Sequence, residues 1–259
     1  MIILINIHYI HMNKHLFTTL ALCAFGIIAH AQEVEFTADR PGASTGTGIV
    51  GKNVIQLEQG IEYEGDGGKG TFTFSNTLFR YGLFENAELR LGGDGFLFDN
   101  GDKMKPAFSG ISVGTKISCF QGNGAIPAVA VLADFAIPNT ASNGFSCENL
   151  APSLYLLFDN PINDTFSLGY NIGAEWDGDT PKPVGFLALC LGVNFTERLG
   201  GFIESYNYLS CGNNSYCADL GFNWMAGKKV QLDLAANIDL CNPSKYWAVS
   251  FGVAWQINK

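Results

Sequence analysis

Large apolar and small or polar side chains alternate strictly along the last strand-length stretch of the chain. Trp247, Val249, Phe251, Val253, Trp255 and Ile257 form one set, while Ala248, Ser250, Gly252, Ala254 and Gln256 form the other. Alternation with period two puts these sets on opposite faces of a β-strand. All the bulk lies on the apolar face, and the other face is too small to build a core, which is the reverse of what one half of a soluble sandwich needs. Trp247 and Trp255 are eight positions apart, so at ~3.3 Å per residue and a tilt of ~45° they lie roughly 19 Å apart along a membrane normal. Such a spacing suits the two aromatic girdles of an outer-membrane barrel, to which Trp176 and Trp224 are assigned as well.

The design recurs upstream. Val230, Leu232, Leu234, Ala236, Ile238 and Leu240 alternate with Gln231, Asp233, Ala235, Asn237 and Asp239, and similar patterns cover 164–176 and 184–195. Acids and amides on the inner face need water or partners, which a wet lumen supplies. Between turn signals the pattern predicts twelve strands, at 53–64, 69–81, 86–97, 107–119, 126–137, 149–158, 164–176, 184–195, 198–209, 215–225, 229–240 and 246–257. The number is even, as expected of a closed, antiparallel, up-and-down transmembrane β-barrel in one chain. Three turns on the opposite side from the periplasm, around 99–106, 139–148 and 177–183, are longer than most of the inner ones. The competing all-β reading is a soluble lipocalin-like barrel or sandwich. Small residues on its solvent face and aromatics at the ends of the apolar stripe count against it.

Beyond the N-terminus no apolar run approaches the ~18 residues of a membrane helix. With 24 acidic against 15 basic residues and a net charge of -9, nucleic acid is not an expected partner.

Leu16–Ile28 has the length of a signal-peptide apolar region, preceded by Lys14 and followed by the small-x-small run Ala29-His30-Ala31. Residues 1–31 are therefore expected to form an export leader, with Met12 a credible true start, 32–52 a lead-in or small plug, and 53–259 the barrel. All four histidines (His8, His11, His15 and His30) fall inside that leader. A catalytic Ser-His-Asp arrangement is excluded from the remaining chain. No enzyme, metal or cofactor is expected.

Two stretches go beyond a generic barrel. Phe36-Thr37-Ala38-Asp39-Arg40-Pro41-Gly42 is followed by Gln56-Leu57-Glu58-Gln59-Gly60, then by Arg80-Tyr81-Gly82-Leu83 and Glu88-Leu89-Arg90. This order resembles the outer-membrane family labelled "MetA-pathway of phenol degradation". The resemblance implies a barrel in the outer membrane of a Gram-negative bacterium that passes small solutes, hydrophobic or aromatic ones included. It brings no catalytic residues. The chain departs from many barrels in ending Gln256-Ile257-Asn258-Lys259 without a terminal aromatic, and in keeping six cysteines beyond the leader.

Glu58, Glu62, Arg80, Glu88 and Arg90 project inward from three neighbouring strands ~4.8 Å apart, so they are expected to form one cluster on the lumen wall. It serves either as an electrostatic constriction or as a neutralising network that fills the barrel. The remaining inward charges, Lys116, Asp134, Glu175, Glu204, Asp219, Asp233 and Asp239, are mostly acidic and favour cations over anions. Cys211, Cys217 and Cys241 fall at outer strand ends and are candidates for a disulfide, with free thiols the alternative. The expected partners are outer-membrane lipid and small solutes. Two functions remain open: a small-solute channel, or a structural or surface-interaction barrel with a closed lumen.

Overall fold

The computed structural model describes residues 36–257 apart from Cys211, Asn213 and Lys245. The expected leader, 1–31, lies outside the described residues. Thirteen strands occur among the described residues: β1 (Ile55–Asp66), β2 (Lys69–Phe84), β3 (Ala87–Asp99), β4 (Met104–Phe108), β5 (Ser112–Phe120), β6 (Ala128–Ala136), β7 (Ala151–Pro161), β8 (Phe166–Glu175), β9 (Val184–Asn194), β10 (Leu199–Leu209), β11 (Ser215–Gly227), β12 (Val230–Asp239) and β13 (Tyr246–Gln256). Every pairing between these strands is antiparallel. Sequential strands pair around the sheet, β3 pairs with β2 and β5, and β1 pairs with both β2 and β13. Twelve strands thus close into an up-and-down barrel with no free edge, the condition for placing strand backbone in lipid.

β4 is the departure from the expected strands. The alternation predicts one strand over 107–119, but the chain breaks at Gly110, whose φ of 94° is open to glycine and costly for residues with a Cβ. Before the break, β4 turns back along the outer part of β3, pairing Gly95↔Phe108 to Asp99↔Met104. After it, β5 takes the inner part, from Ala87↔Ile117 to Gly92↔Ser112. The long connection 137–150 is fastened over this junction. Phe108 N–H donates to Ser142 Oγ at 2.9 Å and Ile111 N–H to Thr140 Oγ1 at 2.9 Å, while Phe145 packs edge-on against Phe96 and Phe98.

The alternation determines which side chains meet which medium. Ile61, Leu89, Leu189, Ile203, Leu220, Phe251 and their alternate neighbours are exposed on the outside. Gln56, Glu58, Arg80, Glu88, Lys116, Glu204 and Asp233 are buried inside. An apolar surface this extensive around the whole barrel is untenable in water and calls for lipid. Trp224 and Trp255 stand on the outer surface towards one end of the barrel, Trp247 faces outward at the other end, and Trp176 follows β8 at that same end. The inner turns fall at 85–86, 121–127, 162–165, 195–198 and 228–229. The opposite end carries the longer connections 100–111, 137–150 and 176–183, beside the two-residue turn 67–68.

Candidate functional site: a segment belted to the lumen wall

The interior polar groups meet one another through residues that precede the barrel. From Thr37 to Val50 the chain makes a circuit of the lumen, and inward side chains of successive strands hold its backbone. Glu58 on β1 accepts the Asp39 and Arg40 N–H groups at 3.1 and 3.2 Å. Glu204 on β10 accepts Ala43 and Ser44 at 2.8 and 3.0 Å. Asn171 on β8 takes Thr45 N–H at 2.7 Å and returns a bond to its carbonyl at 2.9 Å. Asp159 on β7 accepts both the N–H and the hydroxyl of Thr47, at 2.6 and 2.8 Å, and Glu88 on β3 accepts Val50 N–H at 2.8 Å. A non-repetitive segment inside a barrel has no ladder to satisfy its amides, so the wall must do so.

The carbonyls of Thr37, Gly46 and Gly48 are met from the wall by two cations with 0% side-chain exposure. Arg80 uses all five of its donors: Nε and Nη2 form a fork on Glu88 at 2.8 Å each, Nη1 reaches Glu58 at 2.8 Å and the Thr37 carbonyl at 3.2 Å, and Nη2 also reaches the Gly48 carbonyl at 3.1 Å. Lys116 uses all three of its own, on Asp39 at 2.6 Å and on the carbonyls of Gly46 and Gly48 at 3.1 and 2.9 Å. Arg90 bonds to Asp39 and, at 3.1 Å, to Glu88, with Asp134 3.4 Å away. Three cations (Arg80, Arg90 and Lys116) thus face three carboxylates (Asp39, Glu58 and Glu88). Burial alone would push the Asp39 carboxyl up, but Arg80, Lys116 and Arg90 outweigh it and hold the group well below the usual carboxylate range.

Arg40 has a receptor of its own. Gly60 and Gly252 are direct cross-strand partners, and a Cβ on either would collide with the Arg40 guanidinium. The missing side chains leave a notch in which Arg40 reaches Asn76 Oδ1 at 2.8 Å and Asp233 Oδ1 at 3.2 Å. Its bond to Pro41 is cis.

The expected charge cluster is therefore assembled for four of its five members. Glu62 is the exception. It stands four residues beyond Glu58, a step of ~13 Å along a strand, and lines the cavity above the network instead. Asp39 and Lys116, which sequence reasoning did not join to the cluster, are central to it. Asp39 belongs to no strand, so strand periodicity carries no signal for it beyond the Asp-Arg-Pro motif. The inward acids Glu204 and Asp233 are receptors for the segment rather than scattered wall charges. Among the cysteines, Cys211 lies outside the described residues, and Cys217 and Cys241 are free thiols, as are Cys147 and Cys190. A Cys217–Cys241 bond is precluded by register: Cys217 is buried opposite Asp239, whereas Cys241 lies two residues further on, exposed in the connection to β13.

Above the belt the lumen is hollow. A cavity of about 570 Å³ is lined by Arg40, Pro41, Glu62, Arg90, Asp94 and Asp134 among others. A smaller one of about 160 Å³ shares Thr45, Arg90 and Asp134 with it and Tyr208 with a third of about 300 Å³.

A closed antiparallel barrel with an apolar exterior, a polar interior and longer connections at one end is an outer-membrane β-barrel of the Gram-negative type. The chain belongs to the family described as "Putative MetA-pathway of phenol degradation", whose model matches residues 38–257. No curated protein sequence matches it. Its fold is similar to that of a KdgM porin solved in complex with disordered oligogalacturonate, with a TM-score of 0.56 and 10% identity over 78% of this chain and 99% of that one. It is likewise similar to the NanC porin, with a TM-score of 0.55 and 9% identity over 78% of this chain and all of that one.

Proposed function

We propose that this protein is a small-solute channel of the outer membrane whose periplasmic half is closed by its own N-terminal segment, so that passage requires residues 37–50 to leave the wall. The observation that carries this reading is the contrast between the two halves of the lumen. At the depth of Arg80 and Lys116 the side chains are fully buried, whereas the other half holds cavities that share lining residues. The segment fits a removable part, because it contributes no strand to the barrel and is held by side chains. Family membership supports transport of hydrophobic or aromatic solutes, and the porin-like fold is compatible with it. Full burial of the network also supports the second reading, a structural barrel with a closed lumen.

Planar-bilayer recording separates the two. The channel reading expects rare openings from the parent and steady current steps from a variant lacking residues 37–47, with folding of both checked by heat-modifiable gel migration. Silence of both correctly folded proteins would overturn the channel and leave the structural barrel. Steady conductance by the parent would overturn closure by the segment.

A further inference from the structure

We propose that the outer end of the lumen contains a binding site for a small organic ammonium ion, built from tyrosine rings and carboxylates that alternate around the wall. The proposal deepens the channel reading by naming a class of solute, and it rests on that reading only for the consequence of binding.

The site is the cavity of about 300 Å³ lined by Tyr206, Tyr208, Tyr246, Asp66, Asp239, Ser215 and Cys217. The register explains how they come together. Tyr206 on β10 is the cross-strand partner of Cys217 on β11, and Cys217 is the partner of Asp239 on β12. Tyr246 on β13 is the partner of Asp66 on β1, and Asp239 and Tyr246 occupy the adjoining ends of β12 and β13. Five adjacent strands thus present Tyr, Cys, Asp, Tyr and Asp in one inward row, with neighbouring strands ~4.8 Å apart. Tyr208 adds a third ring one inward position further along β10, with its centroid 6.2 Å from that of Tyr206 and nearly perpendicular to it. Phe186 supports Tyr208 from behind at 5.3 Å, and Tyr155 supports Phe186 at 5.5 Å.

Three rings and two carboxylates around a space of molecular size form an aromatic cage. The ring faces attract a cation through their quadrupole, and the acids supply the full opposing charge. Among the described residues no basic side chain lines this cavity, in contrast to the belt below, where every carboxylate of the network has a cation. Lys69 stands opposite Asp66 in the β1–β2 ladder but lines a separate cavity. The volume exceeds that of a bare metal ion, and a cluster of metal-ligating side chains does not occur among the described residues. A neutral phenol would gain the apolar contact but would leave both carboxylates without an opposing charge.

The test is calorimetric titration of the full exported protein in maltoside micelles, which carry no ammonium headgroup to compete. The probes are choline and its uncharged isostere 3,3-dimethyl-1-butanol. The expected result is choline binding at least tenfold tighter than the isostere. Tyr246→Leu and Asp239→Asn should each weaken choline about tenfold, whereas Tyr246→Phe, which keeps the ring face, should stay within about twofold of the parent. Heat-modifiable migration verifies that each variant is folded. Equal affinity for the two probes, no binding of either, or full choline affinity in folded Tyr246→Leu would each overturn the proposal. Because binding is read in micelles, a barrel that binds choline yet stays silent in bilayers refutes the channel and not the cage.

Discussion

Replacing Arg80 with methionine removes five hydrogen bonds from a fully buried cation of the lumen. Glu88 loses a two-pronged partner, Glu58 loses its 2.8 Å ion pair, and the carbonyls of Thr37 and Gly48 lose their donors from this residue. Glu88 keeps Arg90 at 3.1 Å, and Glu58 keeps Gln56 and the backbone of Asp39 and Arg40, so the carboxylates are weakened rather than abandoned. Breaking a buried pair from one side costs about 3–5 kcal/mol, which is roughly two to nearly four orders of magnitude in the unfolding constant. Urea unfolding of the protein in lipid vesicles, followed by tryptophan fluorescence and gel migration, measures that loss. Glu88→Gln combined with Arg80→Met should then cost less than the two single changes added together, by about 0.5–3 kcal/mol, because the two groups neutralise each other directly. A folded Arg80→Met protein within about 1 kcal/mol of the parent, with strict additivity in the double variant, would refute the argument that this network holds the segment.

Gly252→Ala should destabilise the protein by about 1–3 kcal/mol by forcing Arg40 from its notch, and in an Arg40→Ala background the same change should be nearly silent; equal effects in both backgrounds, read by urea unfolding, would refute the notch. Phe251→Arg, at the centre of β13 facing lipid, should cost about 2–4 kcal/mol against about 0–1 for Trp247→Arg at its end, which folding titrations in vesicles can rank. The depressed Asp39 carboxyl makes a stabilising contribution that is complete above its unfolded value of ~3.9 and is lost as pH falls below it towards the lower folded value. The urea midpoint of the parent should therefore fall more steeply below pH 4 than that of Asp39→Asn, and parallel acid limbs would contradict the assignment.

The strands were legible because each inward or outward choice along them answers to a different medium. A row such as Leu187, Leu189 and Leu191 against Ala188 and Cys190 reads the same in sequence as in the wall. β4 was not legible. Met104–Phe108 is the short arm of a turn onto β3, and only the backbone at Gly110 separates it from the strand that follows. Within the site, Arg80, Glu88, Arg90 and Glu58 could be joined because they occupy corresponding depths on adjacent strands. Glu62 was joined to them by parity alone, which fixes the face and says nothing about depth. Lys116 was assigned to the wall correctly but without a partner, since Asp39 reaches it from 77 residues away through a segment that has no periodicity to read.

The contacts of the belt follow the order of the wall. From Thr37 onward the chain meets β1 and β2, then β12, β10, β8, β7, β5 at Gly48 and finally β3, one full turn around the inside of the cylinder, while Asp39 reaches across to Arg90 on β3 and shares Lys116 on β5 with Gly46. It therefore works as an internal gauge of girth. The N-terminal residues leave the ribosome first, yet their receptors include Asp233 on β12, among the last strands to be made, so the circuit can be completed only once the far end of the chain has taken its place. A cylinder with one strand too few or too many would offset the carboxylates against the amides they serve, and the assembly that seats every one of them is the ring of twelve.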